Sequence, residues 1–129
     1  MSIAYWCLLV AAVLPYLLVL AGRAGFAGYD NRDPRGWSAA QTHPRARRMY
    51  AAHLNAFEAF APFAAGVLAA QAAGVDPGRI AQLSVAFVVC RVLHGAFYLA
   101  NVSTLRSLVW FVGFACVVAL LALAALAAA

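Results

Sequence analysis

The chain has 129 residues, of which 67% are hydrophobic and only 10% are charged, and its formal net charge is +5. This length predicts one domain, but the composition excludes an ordinary water-soluble one, because several apolar runs reach the roughly 20 residues that cross a bilayer. The nine basic residues are all arginines. They lie between the apolar runs and not along one face of a soluble fold, which argues against nucleic acid as a partner.

The first apolar run covers about residues 3–22, is uncharged and contains Pro15. A cleaved signal peptide is the alternative interpretation, but the run lacks a positive n-region and is longer than an h-region. We therefore predict a transmembrane helix. Residues 23–43 are polar and rich in the residues that form turns, which predicts one long loop.

Three further helices are predicted, at about residues 44–73, 77–100 and 105–127. Thr42 as a cap and Pro44 in the first turn suit the start of the second helix. Asp76 as N-cap and Pro77 at the first helical position suit the third. With short second and third connections, the sequence predicts an all-α fold, a single four-span transmembrane domain built as an up-down bundle.

The arginines predict the orientation in the membrane. Six cluster around the first loop, namely Arg23, Arg32, Arg35, Arg45, Arg47 and Arg48. Arg106 lies in the third connection on the same side, and only Arg79 lies on the opposite side. By the positive-inside rule the loops between helices one and two and between helices three and four are cytoplasmic, and both termini are outside.

Polar side chains interrupt the second and third predicted helices. Asn55 and Glu58 are three residues apart and share one helical face. An ionisable group inside the hydrocarbon layer costs at least ~2.5 kcal/mol on insertion scales, so a partner or a function is expected for it. Arg91, His94 and Tyr98 form one stripe of the next helix, and at about 1.5 Å per residue Arg91 and Glu58 reach the same depth.

Arg48 and Arg106 are predicted to lie nearer the inner surface than this polar group. The sequence therefore predicts a pocket that opens to the cytoplasmic side, neutral at its floor and positive at its mouth. Such a pocket favours an anionic, water-soluble ligand with many hydrogen-bonding groups.

Two segments resemble a known family. AAHLNAFEAFAPF is similar to the second-helix signature of the membrane-associated proteins in eicosanoid and glutathione metabolism (MAPEG), in which Asn and Glu three apart precede a proline-containing stretch. RVLHGAFYLANVSTLRS resembles the third-helix signature, with Arg-x-x-His-x-x-x-Tyr and a later arginine. The first-loop segment YDNRDPR is similar to bacterial members. The motifs lie closest to the prostaglandin E synthase and microsomal glutathione transferase branches.

This resemblance implies a homotrimer in a bacterial inner membrane, with glutathione as co-substrate between subunits and a lipophilic small molecule arriving from the membrane lipids. It implies a glutathione-dependent transferase or peroxidase that acts on small lipophilic electrophiles or lipid hydroperoxides. Carried over by position, the side chains that contact glutathione are Asn55, Glu58, Arg91, His94 and Tyr98, with Arg106 as the catalytic residue beside the sulfur. Arg48, or its neighbour Arg47, is expected to supply from the previous turn the charge of an arginine that several family members carry four residues before the Asn. Two positions depart from the family pattern, Ala51 and Ala59.

Other interpretations stay open at this point. A non-catalytic MAPEG-like protein would use the polar cluster structurally or to bind a lipid or metabolite. A small proton-coupled exporter also has four short spans, but its essential Glu lies in the first helix, and that helix is uncharged here. Three cysteines, Cys7, Cys90 and Cys116, fall inside apolar runs without metal-ligand spacing, so neither a disulfide framework nor a metal site is expected.

Overall fold

A computed structural model describes residues 2–129. Within this range the chain is helical and contains no strand, which confirms the all-α prediction. The helices are α1 (Ser2–Arg23), α2 (Pro34–Ala39), α3 (Pro44–Ala72), α4 (Pro77–Ala100) and α5 (Ser103–Ala127). The predicted loop over residues 23–43 is wrong in one respect, because it contains the six-residue helix α2.

Proline at the first helical position starts α2, α3 and α4, since its missing N–H needs no partner there. Asp76 caps α4 by accepting a hydrogen bond from the Arg79 backbone N–H at 2.9 Å. The cap of α3 is His43 and not the predicted Thr42, because His43 Nδ1 accepts from the Arg45 backbone N–H at 3.3 Å.

The consecutive long helices run antiparallel. The end of α1 meets the start of α3, where a Cβ built on Gly22 would lie 2.8 Å from the Cβ of Met49. One to two turns further along α3, His53 Nδ1 donates to the carbonyl oxygen of Pro15 at 2.7 Å. Helices α3 and α4 meet at a stacked pair, Phe63 and Phe87, whose ring centroids are 3.9 Å apart.

The main hydrophobic core lies in the half of the molecule that holds the start of α1 and the ends of α3 and α5. A smaller core forms between α1 and α3 in the other half, around Leu18, Met49, Ala52 and Ala56. Between these two cores, α3 and α4 bring their polar side chains together.

Three helices are long and apolar enough to cross a membrane: α1 over Ile3–Arg23, α4 and α5. Large apolar side chains are exposed along them, including Trp6 and Phe111, as expected for helices in contact with lipid. Helix α3 has 29 residues but is not among the three, and Asn55 and Glu58 at its centre lower its apolar character. The chain is thus an integral membrane protein.

Candidate functional site

The predicted polar residues line a pocket between α3, α4 and α5. Its volume is about 150 Å³, and its polar wall consists of Asn55, Glu58 and Arg91. The other wall is apolar and comes mostly from α5: Ala59, Pro62, Phe87, Trp110, Gly113, Phe114 and Val117. We call this the central pocket. It joins hydrogen-bonding groups on one side to an apolar surface on the other.

Arg91 is the buried charge of the central pocket, with only 4% of its surface exposed. Its guanidinium donates to Asn55 Oδ1 at 2.8 Å, and Asn55 Nδ2 in turn donates to Glu58 Oε2 at 3.5 Å. The predicted meeting of Glu58 and Arg91 at one depth therefore runs through the Asn55 amide, which accepts from the cation and donates to the anion. The amide oxygen thus faces the guanidinium and the amide nitrogen faces the carboxylate, as their charges require.

The buried site also has unused hydrogen-bonding capacity. Arg91 Nε and His94 Nδ1 are buried and have no hydrogen-bond partner. Buried polar atoms are normally paired, so each unpaired one requires an explanation such as a missing ligand, water or ion. Arg48 Nε is also unpaired, so the central pocket and the groove that Arg48 lines each contain an arginine with unused hydrogen-bonding capacity.

Glu58 differs from Arg91 because it is exposed. It lies at the midpoint of α3, fourteen residues from either end, or about 21 Å at 1.5 Å per residue. Because Glu58 both lines the central pocket and is exposed, the pocket is open at this carboxylate.

Two further predicted residues lie nearer the start of α3. Arg48 and Tyr98 line an open groove of about 370 Å³ together with Thr42, Pro44, Arg47, Ala51 and Asn101. We call this the basic groove. Asn101 ends α4 in a left-handed conformation, with φ 60°, and so turns the chain towards α5.

Arg106 and His94 both contact the ring of Tyr98. The Arg106 guanidinium carbon lies 4.5 Å from the centroid of the Tyr98 ring, in a cation–π arrangement. The His94 ring contacts the same tyrosine edge to face, with centroids 5.0 Å apart. His94 itself is buried, with 3% of its surface exposed. Tyr98 thus connects the basic groove with the buried α4 residues.

The structure therefore divides the predicted residues: three line the central pocket and two line the basic groove. His94 and Arg106 line neither, but both contact Tyr98. Sequence reasoning missed the apolar wall from α5, where Trp110 and Phe114 stack with their centroids 5.4 Å apart. The spacing of Trp110, Gly113, Phe114 and Val117 is that of one helical face. This signal is hidden because α5 is apolar on every face.

Metal and disulfide chemistry find no support in residues 2–129. No group of three or more His, Cys, Asp or Glu side chains there could hold a metal ion. The three cysteines are free thiols and all of them are buried. The predicted site residues supply guanidinium, amide, carboxylate, imidazole and phenol groups.

Fold and site together define an all-helical integral membrane protein with a buried, arginine-containing polar pocket beside an apolar wall. The chain belongs to the MAPEG family, whose model matches residues 3–126. This confirms the resemblance inferred from the two helix signatures. No curated protein and no solved structure matches the chain.

Proposed function

We propose that the protein is a glutathione-dependent transferase or peroxidase that acts on small lipophilic electrophiles or lipid hydroperoxides. The observation that carries the proposal is the Arg91–Asn55–Glu58 chain of hydrogen bonds on the polar wall of the central pocket. Glutathione has an ammonium group, two carboxylates and two amides. A site that offers a guanidinium from α4 and a carboxylate and an amide from one turn of α3 can pair with all three kinds of group.

The apolar wall supports a lipophilic second substrate. Trp110, Phe114 and Val117 face Arg91 across the central pocket. An apolar molecule from the bilayer could lie against this wall while the peptide occupies the polar one. Binding of both substrates side by side would supply the proximity that accelerates a bimolecular reaction.

Arg106 is the proposed catalytic residue. A free thiol has a pKa of about 8.5 and is mostly protonated at neutral pH, whereas the thiolate is the nucleophile. A guanidinium does not lose its proton, so Arg106 beside the sulfur would stabilise the thiolate. The thiol proton leaves to solvent, the sulfur bonds to the electrophilic carbon, and the leaving group departs with the electron pair. In the free protein Arg106 packs on Tyr98, near the buried His94.

The exposure of Glu58 supports a contact between copies of the chain, which we propose is the homotrimer that the family resemblance implies. A carboxylate at the midpoint of α3 would face lipid in a single chain, at a cost of at least ~2.5 kcal/mol on insertion scales. Drug-sized ligand pockets usually measure ~300–1,000 Å³, whereas the central pocket of one chain has about 150 Å³. A neighbouring copy packed over Glu58 would shield this carboxylate from lipid and would enlarge the pocket. We propose that α3 is the fourth span and that this interface completes the site.

We further propose a bacterial inner membrane with the basic groove on the cytoplasmic side and both termini outside. Arg47 and Arg48 line this groove, and four more arginines lie at residues 23–45. The excess of arginine at this end supports the orientation by the positive-inside rule. On that side glutathione would be available, and the arginines of the groove would attract its carboxylates.

Calorimetry of the detergent-purified protein with reduced glutathione tests the proposal, followed by conjugation of chlorodinitrobenzene. Glu58→Gln keeps the shape of the side chain but removes its charge, and we expect glutathione affinity to fall by about tenfold, the usual loss for one charge-assisted hydrogen bond. Arg32→Gln, in the exposed first loop, is the matched control and should bind as the wild type. Absence of binding heat in the wild type would refute the proposal.

Arg106→Gln separates catalysis from binding. We expect it to bind glutathione within a few-fold of the wild type and to lose the ultraviolet absorbance of the bound thiolate. Conjugation should slow in parallel with that loss. An unchanged thiolate signal would remove Arg106 from the mechanism and leave the binding site in place.

A non-catalytic role is the second candidate, favoured by one specific observation. The Arg91–Asn55 hydrogen bond joins α4 to α3 and can hold two helices in register without any ligand. In that case no glutathione would titrate in, yet Glu58→Gln would still lower the thermal stability of the assembly.

A further inference from the structure

A second apolar channel lies at the other end of the molecule, between the start of α4 and the end of α5. Its volume is about 630 Å³, and its walls include Ala86, Ala122, Leu123 and Leu126. We call it the outer furrow. Alanine side chains form the floor of the furrow between the larger leucine side chains. Leu126 is 77% exposed. The furrow is therefore an open apolar channel on the surface of the two helices.

One end of the outer furrow is positively charged. Arg79 and Gln82 line it, one helical turn apart near the start of α4. The Arg79 backbone N–H donates to the Asp76 carboxylate at 2.9 Å, and among residues 2–129 no carboxylate lines the furrow. All other arginines in this range lie along the site or at the opposite end of the helices. In the described part of the chain, Arg79 is thus the one charged side chain that lines this apolar channel.

The size of the furrow suits one membrane leaflet. From Leu126 to Ala119 it follows α5 for seven residues, or about 10 Å at 1.5 Å per residue. One leaflet contributes about 15 Å of hydrocarbon to the bilayer core. The charged end coincides with the ends of two membrane-crossing helices, which is the level of lipid headgroups.

We propose that the outer furrow binds an anionic membrane phospholipid. Its phosphate pairs with the Arg79 guanidinium and accepts from the Gln82 amide, while one acyl chain lies between α4 and α5 against Ala122 and Leu123. The charge supports this occupant, because a guanidinium attracts phosphate with paired hydrogen bonds and an acyl chain covers the apolar walls. This inference is independent of the glutathione chemistry, since the furrow shares no lining residue with the central pocket.

Photo-crosslinking in nanodiscs tests the proposal with the whole chain. Phosphatidylglycerol carrying a diazirine in its acyl chain is illuminated with the protein, and labelled peptides are mapped by mass spectrometry. We expect labels at residues 82–86 and 119–126. Arg79→Gln should lower the yield at these peptides by about fivefold, as expected for one basic residue near anionic lipid. Labels on α1 serve as the internal control and should not change.

A second substitution tests the channel itself. Ala122→Phe fills the furrow and should abolish its labelling, whereas Ala125→Phe, on an exposed face of α5 that does not line the furrow, should leave it intact. Equal labelling by diazirine phosphatidylcholine, insensitivity to Arg79→Gln, or displacement of the lipid by soluble glycerol phosphate would each overturn the proposal. A change of oligomeric state in Ala122→Phe would instead assign the furrow to another copy of the chain and would also overturn it.

Discussion

The hydrogen bond between Arg91 and Asn55 provides the sharpest test of the site geometry. Asn55→Ala removes the acceptor of a 2.8 Å bond and leaves a guanidinium that is only 4% exposed. A hydrogen bond to a charged group is worth ~1.5–3 kcal/mol in soluble proteins. Interhelical bonds in membranes average only ~0.6 kcal/mol, with a maximum near ~1.7 kcal/mol, because the unfolded state also finds partners. Since this donor is charged and buried, we expect the Arg91–Asn55 hydrogen bond to contribute about 1.5 kcal/mol to the free energy of unfolding.

A double-mutant cycle isolates that contribution from the cavity left by each substitution. Asn55→Ala, Arg91→Met and the double variant are unfolded reversibly in mixed micelles by titration with SDS, and the coupling free energy is taken from the three differences. The control cycle pairs Asn55→Ala with Arg79→Gln, twelve residues from Arg91 along α4, and should show coupling below about 0.5 kcal/mol. Coupling equally small in the Asn55–Arg91 cycle would refute the proposed contact.

Further predictions concern the packing of the helices, and unfolding in micelles measures each of them. A Cβ at Gly22 would lie 2.8 Å from a methionine Cβ, which the backbone holds in place, so Gly22→Ala should cost ~1–3 kcal/mol. Gly95→Ala should cost less, because its Cβ would meet only the movable tip of a leucine, at 2.7 Å; equal losses would contradict this distinction. Phe63→Ala removes a fully buried ring of a stacked pair and should cost at least ~3 kcal/mol, and a smaller loss would mean that the site collapses around the cavity. Asp76→Ala should cost ~1 kcal/mol through the lost cap of α4, whereas Asp76→Asn should keep most of that stability; similar losses in both would show that charge and not capping matters.

Helix starts could be predicted from the sequence because they depend on chemistry within a few residues. Pro44 and Pro77 stand at the first positions of α3 and α4, and Asp76 caps the latter. Helix α2 was missed because six residues are too few to show a 3.6-residue period. The polar sector was also readable from the sequence, since Asn55, Glu58 and Arg91 are conspicuous in apolar runs and indeed line one pocket.

The tertiary structure alone decided which side chains meet. Asn55 stands between Arg91 and Glu58, and Arg106 packs on Tyr98, because these contacts depend on the rotation and depth of each helix. The apolar wall from α5 was invisible beforehand for a related reason. In a soluble helix the buried face stands out as the apolar one, but in a membrane the lipid-facing surface is equally apolar, so the sequence of α5 carries no mark of the face that turns inward.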